Sequence, residues 1–340
     1  MSPAPLQLSS DDLDEVTPLL YDSGGVALCW WRIQDSDLGT TSSGEILHQG
    51  YRLQALQAAM RREKIELAHQ ILGDAGIDAI LLKGWAAARF YPNPALRPLG
   101  DIDLLVKASD YDAANAALEN PEARTCWVDL HNALSELDDC SLDELFARSK
   151  TEMLGDTRVR VLSTEDQLAL SAIHFFKHGA WRPVWLCDIG AMIESLPANF
   201  DWNICFGSTR NRSAWITAAI VLAHQLLAAN IDTAPLAVRE KHLPEWLVDA
   251  VLKQWGNLFH ADHLPVQPRP LLANSWRSPR ILLKEIRARW PDPIVATFDL
   301  RGRPNNFPRL PYQLGAFAAG AGRYLVGHLG AASRSRALPS

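Results

Sequence analysis

The sequence predicts an α+β fold, a small mixed sheet with helices in front of it and a helical lobe behind, on three observations. Between residues 77 and 162, short apolar runs bounded by Gly and Pro alternate with short helical patterns. The stretch before it carries helical periodicity with capping residues. From Ser163 onward the pattern is almost wholly helical, with no repeat period. The chain divides accordingly into an N-terminal helical segment packed on the core (1–76), the sheet core (77–162) and a helical C-terminal lobe (163–340).

Ser9 or Ser10 caps a first helix that runs through Leu13 and Val16 to about Leu20. Val26 to Ile33, with Trp30 and Trp31, is a second apolar stretch, and Gly39 to Gly44 is a turn region. A long helical pattern covers Glu45 to Leu72 with Leu53, Leu56, Met60, Leu67 and Ile71 along one stripe, and Gly73 and Gly76 close it. Asp78 to Lys83, between Gly76 and Gly84, reads as a buried strand. Pro92, Pro94 and Pro98 constrain the next loop, and Asp101 and Asp103 head the strand that ends at Val106. Ser109 caps a helix through Leu118, Asn120-Pro121 breaks it, and Arg124 to His131 reads as a third strand. Ser141 with Glu144 is a capping box, and Gly155-Asp156 before the alternating Thr157–Leu162 signals a hairpin. Helices follow at Glu165–His178, Val184–Leu196, Asp201–Thr209, Ser213–Ala229, Pro244–Trp255 and Arg280–Arg289.

Composition narrows the function classes. With 340 residues, 48% hydrophobic and 21% charged, the chain has ample material for a globular core. A net charge of −6 without a long Lys/Arg block argues against a surface that tracks nucleic-acid phosphates. The five cysteines are odd in number, scattered and without metal-ligand spacing, which suits buried thiols in a reducing cytoplasm better than disulfides. Met1 to Asp14 lacks the basic and apolar regions of a secretory signal, and Arg323 and His328 interrupt the Ala/Gly/Leu-rich stretch Leu310 to Ala332. No membrane association is expected, and a cytoplasmic location is. The twelve tryptophans, Trp181, Trp185, Trp202 and Trp215 among them, are spread along helical stretches as packing residues.

Chemistry concentrates in the middle of the chain. Strand alternation places the Asp101 and Asp103 carboxylates on one face, a site for a hard cation such as Mg²⁺. Asp129 and His131 share a face of the following strand, and three acids converge if the two strands pair. Three carboxylates can hold two Mg²⁺ ions, one activating a hydroxyl and one steadying a triphosphate. Lys83-Gly84 lies between a strand and a helix, where Gly lets phosphate approach backbone N–H groups. Residues alone thus support metal-dependent phosphate chemistry.

Leu81-Leu82-Lys83-Gly84, Tyr91-Pro92, Leu96-Arg97-Pro98, Gly100-Asp101-Ile102-Asp103-Leu104-Leu105-Val106 and Val128-Asp129-Leu130-His131 together resemble the uncharacterised nucleotidyltransferase family of the polymerase-β-like superfamily. The likeness continues through Val161-Leu162-Ser163-Thr164-Glu165-Asp166, His174, His178 and Trp185-Leu186-Cys187-Asp188-Ile189, and more loosely into Arg289-Trp290 and Leu310–Leu314. The resemblance implies a nucleotidyltransferase core with a helical C-terminal lobe, use of Mg²⁺ and an NTP such as ATP, and an unassigned acceptor. Members often occur beside peptide natural-product genes, lasso-peptide genes included, which makes a modified peptide one acceptor class. The wider superfamily usually follows the turn glycine with Ser. Here Trp85 follows Gly84, so Lys83 and backbone N–H groups would take the phosphate contact. The Leu118–Arg124 connection is also shorter than in relatives.

The resulting candidates are Asp101, Asp103 and Asp129 as metal ligands and catalytic acids, with Asp129 also a general base or a plain edge-strand acid. Lys83, Gly84 and Arg97 are candidates for the nucleotide, Arg97 alternatively for an ion pair with one of the acids. His131, His174, His178 and Asp188 are candidates for the acceptor side. His174 and His178 share a helical face at i and i+4 but have no third ligand at zinc spacing. Arg277, Arg280, Lys284, Arg287 and Arg289 form a basic helical stretch that by default is solvated. A non-catalytic module that binds nucleotide or peptide, and a phosphoryl rather than nucleotidyl transferase, are the competing functions.

Overall fold

The computed structural model describes residues 8–236, 242–256, 280, 286–287 and 289–320. The chain forms two compact units, Met1–Phe175 with Arg182–His242, and Phe176–Trp181 with Leu243–Ser340.

The first unit opens with three helices. Helix α1 (Ser10–Ser23) starts at a capping box in which Ser9 Oγ accepts the Asp12 N–H and the Asp12 carboxylate accepts the Ser9 N–H. Gly24, at φ +79°, ends it in the left-handed conformation that side chains resist. Helix α2 (Val26–Ile33) follows, and α3 (Ser42–Asp74) starts where Thr41 Oγ1 accepts the Gly44 N–H. Leu13, Val26, Ile33 and Leu47 bury one another among these helices. On α3 the stripe expected from the sequence is turned around: Leu53, Leu56 and Met60 face solvent, while Ile65, Ala68 and Leu72 are buried. A helix of 33 residues carries more than one apolar row, and the row that meets the sheet is the one that packs.

Strands β1 (Ala79–Leu81), β2 (Ile102–Val106), β3 (Val128–His131), β4 (Lys150–Leu154) and β5 (Thr157–Val161) form one sheet in the order β3-β2-β1-β5-β4. β1 runs antiparallel to β2 and parallel to β5, β2 runs parallel to β3, and β4 pairs antiparallel with β5. The mixed sheet and α+β class read from the sequence are therefore present. Helix α4 (Trp85–Ala88) follows β1, and α5 (Tyr111–Leu118) follows β2. One sheet face, carrying Leu81, Ile102, Leu104, Val106, Val159 and Val161, packs on Ile65, Ala68 and Leu72 of α3 and Ala114 of α5. Alternation therefore sends Asp103 to the opposite face.

The third strand is shorter than the sequence indicates. Pro121 at the first helical position and the Asn120 side chain, which accepts the Glu122 N–H, start α6 (Pro121–Arg124). Trp127, at φ +58°, then turns the chain into β3 at Val128. The edge strand β4 has no counterpart in the sequence reading, because only Leu154 of its five residues is buried and no alternation marks it. The Gly155-Asp156 hairpin joins it to β5 as expected.

Helix α7 (Leu142–Arg148) carries the Ser141–Glu144 capping box. Helices α8 (Thr164–Lys177), α9 (Pro183–Glu194), α10 (Trp202–Phe206) and α11 (Arg210–Leu227) follow. Helix α10 stops short of Thr209 because Gly207 leaves the helical region at φ +68° and its neighbours bind elsewhere. Arg212 Nη1 donates to Asp139 Oδ1, and the Ser208 N–H donates to Asp139 Oδ2 at 2.8 Å.

The second unit contains α12 (Glu245–Gly256) and α13 (Pro293–Asp299), and residues 310–320 are helical. Asp292 caps α13 through the Ile294 and Val295 N–H groups and accepts Gln254 Nε2 of α12 at 2.6 Å. Arg277 and Lys284 of the expected basic helix, the part of Leu310–Ala332 beyond residue 320, and residues 1–7 lie outside the described residues. Among the described residues no helix is long and apolar enough to cross a membrane.

Candidate active site

The site begins with strand register. β2 and β3 pair in parallel so that Asp103 lies beside Asp129 and Leu105 beside His131. Neighbours in register project to the same face, so two carboxylates stand side by side, and His131, two residues beyond Asp129, joins them. His131 Nε2 lies 3.2 Å from Asp103 Oδ1 and 3.4 Å from Asp129 Oδ2. One ligand atom from each of the three residues falls within 4.8 Å of the others. Lys83 Nζ, just past β1, donates to Asp103 Oδ1 at 2.7 Å. Burial by itself raises the Asp103 carboxyl, but the hydrogen bond from His131 and the charge and hydrogen bond of Lys83 outweigh it. The group therefore titrates below the ordinary carboxylate range. Asp129 is the open member of the set, its side chain 64% exposed against 13% for Asp103.

Asp101 is exposed one residue before β2 and is not one of the three clustered groups. Its backbone nonetheless borders the turn after β1: a Cβ placed on Gly84 would lie 3.7 Å from the Asp101 carbonyl oxygen. Gly84 adopts φ +59° with ψ −111°, which a side chain would resist. Trp85 packs against the apolar cluster beneath the sheet.

Arg97 pairs with neither Asp101 nor Asp103. Its Nε and Nη2 donate to the two oxygens of Asp188 on α9, each at 2.9 Å, and Tyr91 Oη donates to Asp188 Oδ1 at 2.8 Å. All three side chains are buried, which makes this a closed polar knot beneath the proline-rich loop. His174 Nδ1 lies 3.8 Å from Glu136 Oε1, and its ring meets Trp185 edge-on with centroids 4.8 Å apart. Among the described residues no metal-ligand group includes His174 or His178, and His178 belongs to the second unit.

A small cleft is lined by Lys83, Arg97, Gln167, Ser171, His174, Trp185 and Asp188, and Lys83 joins it to Asp103. Sequence reasoning missed Gln167, Ser171 and Trp185 as cleft residues. The available signal was Gln167 itself, a polar residue directly before the buried run Leu168-Ala169-Leu170.

Two carboxylates, an imidazole and an ammonium on one sheet face can hold a divalent cation and face a phosphate-bearing ligand. A family model described as an uncharacterised nucleotidyltransferase matches residues 9–228, about two thirds of the chain. No curated protein and no solved structure matches the chain. The matched span holds the sheet, the paired acids and the cleft, and the chain belongs to the uncharacterised nucleotidyltransferase family, as a transferase of phosphorus-containing groups.

Proposed function

We propose that the chain transfers a nucleoside monophosphate from an NTP to an acceptor hydroxyl or phosphate, with Mg²⁺, and releases pyrophosphate. The observation that carries this reading is the parallel register that sets Asp103 beside Asp129, with His131 between their carboxylates. The donor set fits a hard divalent cation, since two carboxylates and one ring nitrogen lie close enough to share it. The Lys83 ammonium on Asp103 Oδ1 already occupies part of the place that a cation would take. When bound, Mg²⁺ neutralises triphosphate oxygens and the charge that develops on the departing pyrophosphate.

In this reading Asp103 and Asp129 would hold the metal, with Asp101 as a further acid just before β2. Lys83, which contacts Asp103 Oδ1, would bind the triphosphate together with the backbone of the Gly84 turn. The acceptor oxygen attacks the α-phosphorus, the bond to the bridging oxygen breaks opposite it, and pyrophosphate leaves with that electron pair. Asp129, 64% exposed, would take the acceptor proton.

The test is pyrophosphate release with each NTP and Mg²⁺ in the presence of hydroxyl-bearing acceptors, followed by the product mass. Asp103→Asn and Asp129→Asn should each lose activity by roughly a hundredfold or more while circular dichroism stays that of the parent. Parental turnover in both variants overturns the assignment, and an adduct with the mass of a phosphate alone replaces nucleotidyl by phosphoryl transfer.

A further inference from the structure

We propose that the second unit docks on an anionic bilayer surface through an apolar face flanked by arginines. The proposal is independent of the nucleotidyltransferase reading. Residues 310–320 are helical, and not one of them is charged. Leu310, Leu314 and Ala318, spaced by four, share one face, and all three are exposed together with Pro311 and Ala319. The other side of this helix is already engaged. Gln313 Nε2 donates to the Pro291 carbonyl at 2.9 Å, Phe317 lies against Trp290 with ring centroids 5.7 Å apart, and Tyr312 meets Phe307 edge-on. Two neighbours widen the apolar face. Phe307 is 54% exposed, and the exposed Leu300 reaches the helix at Gly315, where a Cβ would lie 2.8 Å from Leu300 Cδ1. Single exposed apolar residues are ordinary, but a contiguous face with Leu310 and Leu314 each at least half exposed marks an interaction site.

Charge selects what covers that face. The second unit carries fourteen Lys and Arg against six Asp and Glu, whereas the first carries nineteen against thirty-three. From Pro293 to Ser340 there are six arginines and one acid, Asp299. Arg301 and Arg303, both exposed, stand in the segment between Leu300 and Phe307, beside the apolar face itself. A basic rim around an uncharged apolar face fits the two layers of an anionic membrane surface, headgroup phosphates outside and acyl chains beneath. A nucleic acid would engage the arginines and leave Leu310, Leu314 and Phe307 in water. A second copy of the chain would set two basic units against each other. Such docking needs no spanning helix, and it revises the expectation of no membrane association, which rests on the lack of a signal and of a span.

The experiment is co-sedimentation of the full chain with vesicles of phosphatidylcholine, alone or mixed three to one with phosphatidylglycerol, at low and high salt. Binding to the mixed vesicles should be at least about tenfold tighter and should fall with salt. Leu310→Ser with Leu314→Ser should weaken it about tenfold, and Arg301→Gln with Arg303→Gln about thirtyfold. Thermal melts of both variants should match the parent, since all four positions are exposed. Equal binding to the two vesicle types, or none to either, overturns the proposal. So does capture of an RNA oligonucleotide by a chain that ignores vesicles, which assigns the arginines to nucleic acid. A dimer in sedimentation velocity that Leu310→Ser with Leu314→Ser converts to monomer overturns it as well, because a second copy then covers the face.

Discussion

At the scale of single residues, the loop that delivers Asp101 and Asp103 is held by a partner from far along the chain. Arg97 and Asp188 are separated by 91 positions, and their two-pronged contact is buried on both sides. Burial disfavours the Arg97 charge, and the adjacent Asp188 carboxylate more than offsets this, so the guanidinium stays firmly protonated. Two charges taken out of water depend on each other, and removing one leaves the other uncompensated. Asp188→Ala should therefore cost about 3–5 kcal/mol in urea unfolding, whereas replacing both residues by apolar ones of similar volume should recover much of that loss. A cost below about 1 kcal/mol for Asp188→Ala would place the pair among weak surface bridges and contradict its burial. Arg97 is thereby committed to a buried ion pair on the loop that leads to Asp101 and Asp103.

At the scale of elements, the sequence shows what is locally encoded and conceals what depends on distant partners. The Ser9 cap, the Ser141 capping box, the Gly155-Asp156 hairpin and the apolar cores of β1 and β2 are set by neighbours within a few positions, and each forms as read. Asp129 and His131 fall on one face because a two-residue period is intrinsic to a strand. The same period gives no purchase on Asp101, which precedes the first residue of β2. Edge strand β4, with Lys150, Thr151 and Glu152 on it, offers no apolar rhythm, and the buried Gln167 amide donates to a carbonyl 85 positions away. The link from Asp139 to the start of α11 is likewise nonlocal and has a pH signature. Burial raises the Asp139 carboxyl, but the Ser208 N–H and Arg212 outweigh it and lower its pKa. A folded value below the unfolded one of about 3.9 adds stability above pH 4 and loses it as pH falls through the folded value. Asp139→Asn should be less stable than the parent at neutral pH by about 1–3 kcal/mol, and the gap should close in acid. A gap of constant size from pH 7 to pH 2, followed by urea unfolding, would remove the ionised carboxylate from this link.

At the scale of the whole molecule, the helices and the inner sheet face supply the apolar core, while the opposite face of β2 and β3 sets Asp103 beside Asp129. The chain carries a net charge of −6, and β3 is an edge strand, so Asp129 stands in a negative field with solvent on one side. Placing Asp103 and Asp129 in register sets like charges together, and Lys83 and His131 offset them only in part, both being drawn to the same Asp103 oxygen. Under the proposed function a divalent cation would offset both charges. Mg²⁺ or Mn²⁺ at a hundredfold excess over its Kd should stabilise the native state by about 2.7 kcal/mol. In a thermal melt this should raise Tm by roughly 5 °C, and EDTA should reverse it. Asp129→Asn should melt no lower than the parent without metal, because it removes repulsion from an exposed position, and should lose most of the metal-dependent rise. A variant that melts markedly lower without metal, or keeps the full rise with it, would show that Asp129 serves the fold and takes no part in holding the ion.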